Sequence, residues 1–173
     1  SLWEFMGVYG LADHSPSPIF LDESTNKVEA CTLPLVIGGD FNLLRSPVDK
    51  NTNNFSWALA DAFNEFISSC ALREIPRVGS RFTWTNHKIS PIRSVLDRVF
   101  VCSNWDSLFP LATLKSKAIV VSDHAPLILD AGIRSIPPLG FSATLLGFLL
   151  MAFLTSSDLK LMSFFRLLIA HLG

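Results

Sequence analysis

Cysteine is scarce: Cys31, Cys70 and Cys102 are the only three, and none shares a C-x-x-C spacing. An odd, unclustered set argues against a disulfide framework or a thiolate zinc site. It fits a reducing setting, nuclear or cytoplasmic. Charge of one sign is not in excess either. The formal net charge is −1, so composition by itself offers no reason to invoke a polyanionic partner. The first residues lack a basic lead and a long apolar core, and they include Glu4, so no signal peptide is expected. There are no internal repeats. Between Arg134 and Asp158 there is no charged residue at all. Much of the hydrophobic excess gathers there (49% hydrophobic residues, mean hydropathy +0.39). A chain of 173 residues can bury one real core and is short for two.

What is present reads as short strands with few helices. Glu4 to Tyr9 has strand character, Asp13 to Ser24 reads as a turn-rich connection holding Pro16 and Pro18, and Leu33 to Ile37 is an apolar run that breaks at Gly38-Gly39. Pro47 to Asn54 reads as polar loop. Ser56 can cap a helix in which Leu59, Phe63, Phe66, Ile67 and Cys70 recur at three- and four-residue steps. Arg81 to Thr85, Val95 to Val101, Ile119 to Val121 and Leu127 to Leu129 are further strand candidates, with a single helical turn at Asn104 to Phe109. The expected class is α+β with a largely antiparallel sheet.

Three places could carry chemistry. In Gly38-Gly39-Asp40-Phe41-Asn42, extended backbone would put Asp40 and Asn42 on one face and turn Phe41 to the core. A carboxylate beside an amide can take a proton from water and fix its direction; the same letters also write a plain Asx turn after a strand. In Ser122-Asp123-His124-Ala125-Pro126, the histidine can serve as acid, base or phosphate-binding cation, or it can sit exposed in a turn closed by Pro126. Asp97, inside a β-rich apolar stretch, needs a partner if buried. That partner is either a histidine whose tautomer it would fix, or a neighbouring arginine. Around these, Arg73, Arg77, Arg81, Lys88, Arg93 and Arg98 stand against only Glu74 and Asp97, with Phe82 and Trp84 among them. This mixture suits a phosphate backbone beside a stacking surface, or a solvated loop face.

Taken in order, Gly-Asp-Phe-Asn, Phe82-Thr83-Trp84, Leu96-Asp97-Arg98 and Ser122-Asp123-His124-Ala125-Pro126 resemble the endonuclease/exonuclease/phosphatase superfamily, the deoxyribonuclease-I-like proteins. Val8-Tyr9-Gly10, Arg81-Phe82-Thr83-Trp84 and Leu96 through Val101 most resemble the endonuclease domain of plant non-LTR retrotransposons. The likeness runs from about Trp3 to Asp130. It implies the C-terminal portion of a two-layer β-sandwich flanked by helices. It also implies hydrolysis of phosphodiesters in DNA with Mg2+ or Mn2+. Tyr9 would lie near the scissile phosphate, Asp40 would activate water or assist the leaving group, and Asn42 would orient the phosphate. His124 would stabilise charge on the phosphoryl oxygens, and Asp97 would hold its tautomer. Asp123 would help position the metal, and Arg81, Trp84 and Arg93 would line the nucleic-acid groove.

Two departures from that pattern set further expectations. The resemblance calls for two strand-end motifs ahead of Tyr9, one ending in Asn and one supplying a metal-binding Glu, and the sequence starts at Ser1. A fragment of weak or no activity is therefore expected, with residues 1–134 as a partial domain. Residues 135–173 form a hydrophobic tail expected to be helical, with three origins open. It could be a frameshifted or mis-joined frame. It could be a membrane anchor over Ser135 to Ser157, near the ~20 residues a span requires. Or it could be helices that cover the sheet, Leu159 to Leu172 among them. Two alternatives to a nuclease stay open: a phosphoinositide-type phosphatase of the same superfamily, and a non-catalytic, membrane-tailed relic. No obligate protein partner is evident.

Overall fold

A computed structural model describes residues 2–10, 17–119 and 122–132, and the backbone of residues 148–151 and 163–170. In chain order the elements are β1 (Leu2–Tyr9), α1 (Ser17–Glu29), β2 (Leu35–Asp40), a 3-10 turn (Pro47–Asp49) and α2 (Trp57–Ser69). There follow β3 (Arg73–Glu74), β4 (Arg77–Val78), β5 (Trp84–Thr85), β6 (Arg93–Ser94), β7 (Asp97–Val101) and α3 (Ser103–Leu108). The last are β8 (Thr113–Ser116), β9 (Leu127–Asp130), β10 (Phe148–Met151) and β11 (Ser163–Ala170).

The strands form a five-stranded sheet of order β11-β1-β2-β7-β3, a four-stranded sheet of order β10-β9-β8-β4, and a β5-β6 hairpin. The pairing is mixed: β1 runs parallel to β2 and β4 parallel to β8, and the remaining pairs are antiparallel. This is the α+β class the sequence implies.

Period-two alternation divides the large sheet's side chains between two apolar layers. Trp3, Phe5, Val36, Val99 and Val101 join Leu114, Leu127 and Leu129 of the second sheet, with Trp105 and Phe109 closing the layer. Met6, Val8, Leu35, Ile37 and Phe100 face Phe20 and Leu21 of α1 and Phe63, Phe66 and Ile67 of α2. A sheet buried on both faces explains why β2 and β7 are buried throughout.

Four sequence expectations change. Asp13 to Ser24 was expected as turn, yet α1 begins at Ser17; residues 11–16 lie outside the described ones. Pro18 is the cause of the misreading, since proline fits a helix's first turn, where its missing N–H costs nothing. Arg81 to Thr85 yields only Trp84–Thr85 as strand. The strand expected at Ile119 to Val121 lies earlier, at Thr113–Ser116; Ile119 is not in a strand and residues 120–121 are outside the described set.

The tail differs most. Where it is described, it is strand and not helix: Phe148–Met151 pairs with β9 and Ser163–Ala170 runs antiparallel along all of β1. Phe, Leu and Ile fit a pleated surface, and both strands satisfy edges that would otherwise leave N–H and C=O groups unpaired. Among the described residues no helix is long and apolar enough to cross a membrane. The rest of 135–157, where the anchor reading falls, lies outside them.

Candidate active site

The site forms where β1, β2 and β7 end together and the loop before β9 folds over them. Tyr9 and Asp40 are register partners on the parallel pair β1–β2, and Asp40 is the partner of Asp97 on the antiparallel pair β2–β7. Close backbone approach makes this possible. A Cβ on Gly39 would stand 1.9 Å from the Val8 carbonyl oxygen, and one on Gly10 would stand 2.3 Å from that of Phe41. Gly39 also holds φ +151°, a conformation open to glycine.

Asp40 and Asn42 meet in a different way from that expected of extended chain. Asn42 adopts φ 51°, the left-handed region that asparagine tolerates. In the resulting turn its backbone N–H donates to Asp40 Oδ1 at 2.9 Å and its amide Nδ2 to Asp40 Oδ2 at 2.9 Å. The same amide donates to the Gly10 carbonyl at 2.7 Å. The Asx turn and the paired carboxylate–amide are thus one structure. Phe41 between them is buried, as expected.

His124 joins the two aspartates. Its Nδ1–H donates to Asp97 Oδ2 and Oδ1 at 3.0 and 3.1 Å, and its Nε2 lies 3.7 Å from Asp40 Oδ2. Asp40 and Asp97 are each 1% exposed, so the partner that Asp97 needed is this histidine. Arg98, its neighbour in sequence, points to the other face of the strand. There it pairs with Asp49 at 2.5 Å and Glu74 at 2.6 Å. Glu74 also pairs with Arg45 at 2.5 Å.

Thr83, which the sequence offers only as a letter of the Phe82-Thr83-Trp84 motif and with no role, holds this arrangement. It is fully buried. Its Oγ1 accepts the backbone N–H groups of Leu96 and Asp97 at 2.9 and 3.0 Å, and its carbonyl accepts from Ala125 N, next to His124, at 2.7 Å. One residue thereby braces both sides of the Asp97–His124 pair, through its side chain at Asp97 and through its backbone carbonyl next to His124. Asp123 is placed by Trp84, whose indole Nε1 donates to Asp123 Oδ2 at 3.0 Å, and Ser122 Oγ donates to its other oxygen at 3.4 Å.

Three carboxylates near one imidazole perturb one another. Burial, and then the charge of Asp97, raise the Asp40 pKa to about 7 against the opposing pull of His124 and the Asn42 N–H. Burial lowers the pKa of His124, but the hydrogen bond and charge of Asp97, with Asp40 and Asp123, outweigh it and leave the value raised. Burial, with the charges of Asp40, Asp123 and Asp97, pushes the Tyr9 phenol up.

One ligand atom each from Asp40, Asp97 and His124 lies within 4.8 Å of the others, so the group could hold a metal ion. As a magnesium site it is short of donors. Asp97 is turned to Nδ1–H and Asp40 receives both Asn42 donors, leaving one imidazole nitrogen and part of one carboxylate. Asp123 is not in the group. Magnesium asks for near-octahedral oxygen, which this group by itself does not supply.

Arg81, Trp84 and Arg93 line one open groove of about 700 Å3, together with Lys88 and His87. Trp84 connects that groove to Asp123 and hence to His124.

No family model and no curated protein matches the chain. Solved structures do. The endonuclease domain of TRAS1, a telomere-specific non-LTR retrotransposon, matches with TM-score 0.54 and 16% identity over 72% of this chain. The 3′-5′ exonuclease NExo of Neisseria meningitidis matches with TM-score 0.56 and 15% identity over 71%. NExo from Neisseria as a 3′ phosphatase bound to a product DNA hairpin matches with TM-score 0.56 and 14% identity over 71%. The chain therefore shares its fold with these three structures. It spans between 55% and 59% of the length of these three structures.

Proposed function

We propose that this chain carries the proton-handling side of a nucleic-acid phosphodiesterase of retrotransposon-endonuclease type, acting on DNA. The observation that carries the reading is the line Asn42–Asp40–His124–Asp97, in which Asn42–Asp40 and His124–Asp97 are hydrogen-bonded and His124 Nε2 faces the buried Asp40 carboxylate at 3.7 Å, beside a groove lined by Arg81, Trp84 and Arg93. A carboxylate with a pKa of about 7 is matched to taking a proton from water near neutrality. Asn42 fixes the carboxylate's rotation. Asp97 keeps the proton on Nδ1, so His124 Nε2 faces Asp40 and the phosphate. Protonated there, it offsets charge gathering on the phosphoryl oxygens. Tyr9 borders the same space. Magnesium or manganese, with Asp123, phosphate and water as further oxygen donors, is the ion this reading takes.

Supercoiled-plasmid nicking tests it, with Mg2+, with Mn2+ and with chelator. Slow, cation-dependent nicking that is lost in Asp40→Ala and His124→Ala is expected. Nicking unchanged in both variants overturns the proposal. Turnover of phosphoinositides with intact plasmid moves the assignment to the phosphatase reading. DNA bound but uncut by the wild-type chain moves it to the non-catalytic relic.

A further inference from the structure

A second groove, of about 550 Å3, lies beyond the first and is lined by Lys50, Asn51, Phe55, Trp57 and Arg81 among others. Arg81 lines both grooves and is the residue they share. None of the residues lining either groove is acidic, although the chain as a whole is slightly negative. Trp57 is 67% exposed, a large apolar surface left in water beside cations. Phe55 meets it edge-on, with ring centroids 5.0 Å apart.

The loop presenting these rings is anchored. Asn51 donates through Nδ2 to the Pro91 carbonyl at 2.9 Å and accepts from Arg93 N at 2.8 Å. Its own N–H donates to Arg93 O at 3.1 Å, and Val95 N donates to Asp49 O at 2.8 Å. The aromatic pair is thus pre-positioned against the β5–β6 hairpin, and little ordering is left for a ligand to impose.

We infer that the Phe55–Trp57 groove is a stacking site for unpaired bases of single-stranded DNA, reached from the catalytic edge along Arg81. The inference rests on the proposed function for its choice of DNA, and it names the substrate form: DNA with a single-stranded stretch next to the reacting phosphate. Bases stack on Trp57 while Lys50 and Arg81 meet the backbone, a combination tolerant of sequence. Duplex DNA keeps its bases stacked inside and gains only the cationic part.

Fluorescence anisotropy of the whole chain with labelled dT12 and with a blunt duplex hairpin tests this. Trp57→Ala is expected to weaken dT12 binding about 5- to 100-fold, with the duplex unaffected and the salt dependence of dT12 binding unchanged. Trp57→Phe restores most of the loss. Arg81→Ala weakens both DNAs and lowers the salt slope for dT12 by about 0.7. Binding is read in the presence of chelator and needs no turnover, so absence of nicking by the wild-type chain would sink the catalytic reading without touching this one. Equal dT12 affinity of wild type and Trp57→Ala overturns the inference. So does binding of oligo-U without dT12, or of a proline-rich peptide in place of either.

Discussion

Asp97 and Arg98 are adjacent on one strand and serve opposite ends. On one face, Asp97 enters a group in which Asp40, Asp97 and Asp123 surround a single imidazole, and the pKa of Asp40 climbs to about 7. On the other, Arg98, 6% exposed, meets Asp49 and Glu74, and Arg45 completes a set of two cations and two anions. Asp97 and Arg98 are both buried, whereas Asp49, Glu74 and Arg45 are half-buried. A balanced set is a brace, whereas an unbalanced one holds protons loosely enough to move them. The difference between structural and chemical electrostatics is here one residue wide.

The sharpest way to break this contrast is to unbalance the brace. Arg98→Ala strands Asp49 and Glu74 without their shared partner and is expected to lower stability by about 3–5 kcal/mol, read by urea unfolding. A loss below about 1 kcal/mol would mean the brace is ornamental.

The pH dependence is next in size. Asp40 in the folded chain holds its proton up to about 7, against 3.8 as the ordinary value. Its contribution is therefore complete below about pH 4 and is lost as pH rises to 7, on the order of 2–4 kcal/mol. His124, also raised from 6.5, adds a loss above that pH in the same direction. Unfolding free energies of wild type minus Asp40→Asn should fall across this interval. Nicking should rise over the same interval as Asp40 ionises. A flat difference would place Asp40 among ordinary carboxylates.

Asp97→Asn tests the chemical side with its shape kept. It is expected to cut nicking about 100-fold or more, with stability changed by about 1 kcal/mol. Equal loss of fold and activity would make Asp97 a second brace.

The smallest effect is expected at Thr83. Thr83→Val removes the acceptor for two backbone N–H groups and should cost about 1–2 kcal/mol and roughly tenfold in rate. Thr83→Ser should restore both. Rate loss in Thr83→Val without a stability change would show that it sets geometry alone.

Chain order and local letters made much of this legible. Ser56 capped α2, and its Oγ accepts Leu59 N at 3.4 Å, because capping is a contact between residues three apart. The Asp40 turn is similarly local. Asp97 was readable as needing a partner, but arginine and histidine stood equal until the strand's two faces were known. Proline concealed α1 by being at home in a helix's first turn. The tail's hydrophobic run carried no period that told strand from helix. Thr83 was legible as a letter of the Phe82-Thr83-Trp84 motif but its role was not, since that role includes two hydrogen bonds to residues 13 and 14 positions away. Phe55 and Trp57, two apart beside an Asn-rich loop, were visible in the sequence, yet only the anchoring of that loop to Arg93 shows that they form one side of a groove.

The sequence by itself determined which residue types were available to chemistry, and the turns and caps whose partners lie within a few positions. Tertiary structure alone decided which carboxylate meets the histidine, which side of β7 faces the brace, and that the described parts of the tail pair with β1 and β9 as strands. The physical reason is range. Local hydrogen bonds are written in neighbouring letters, whereas charge pairing and edge pairing depend on faces brought together across the whole chain.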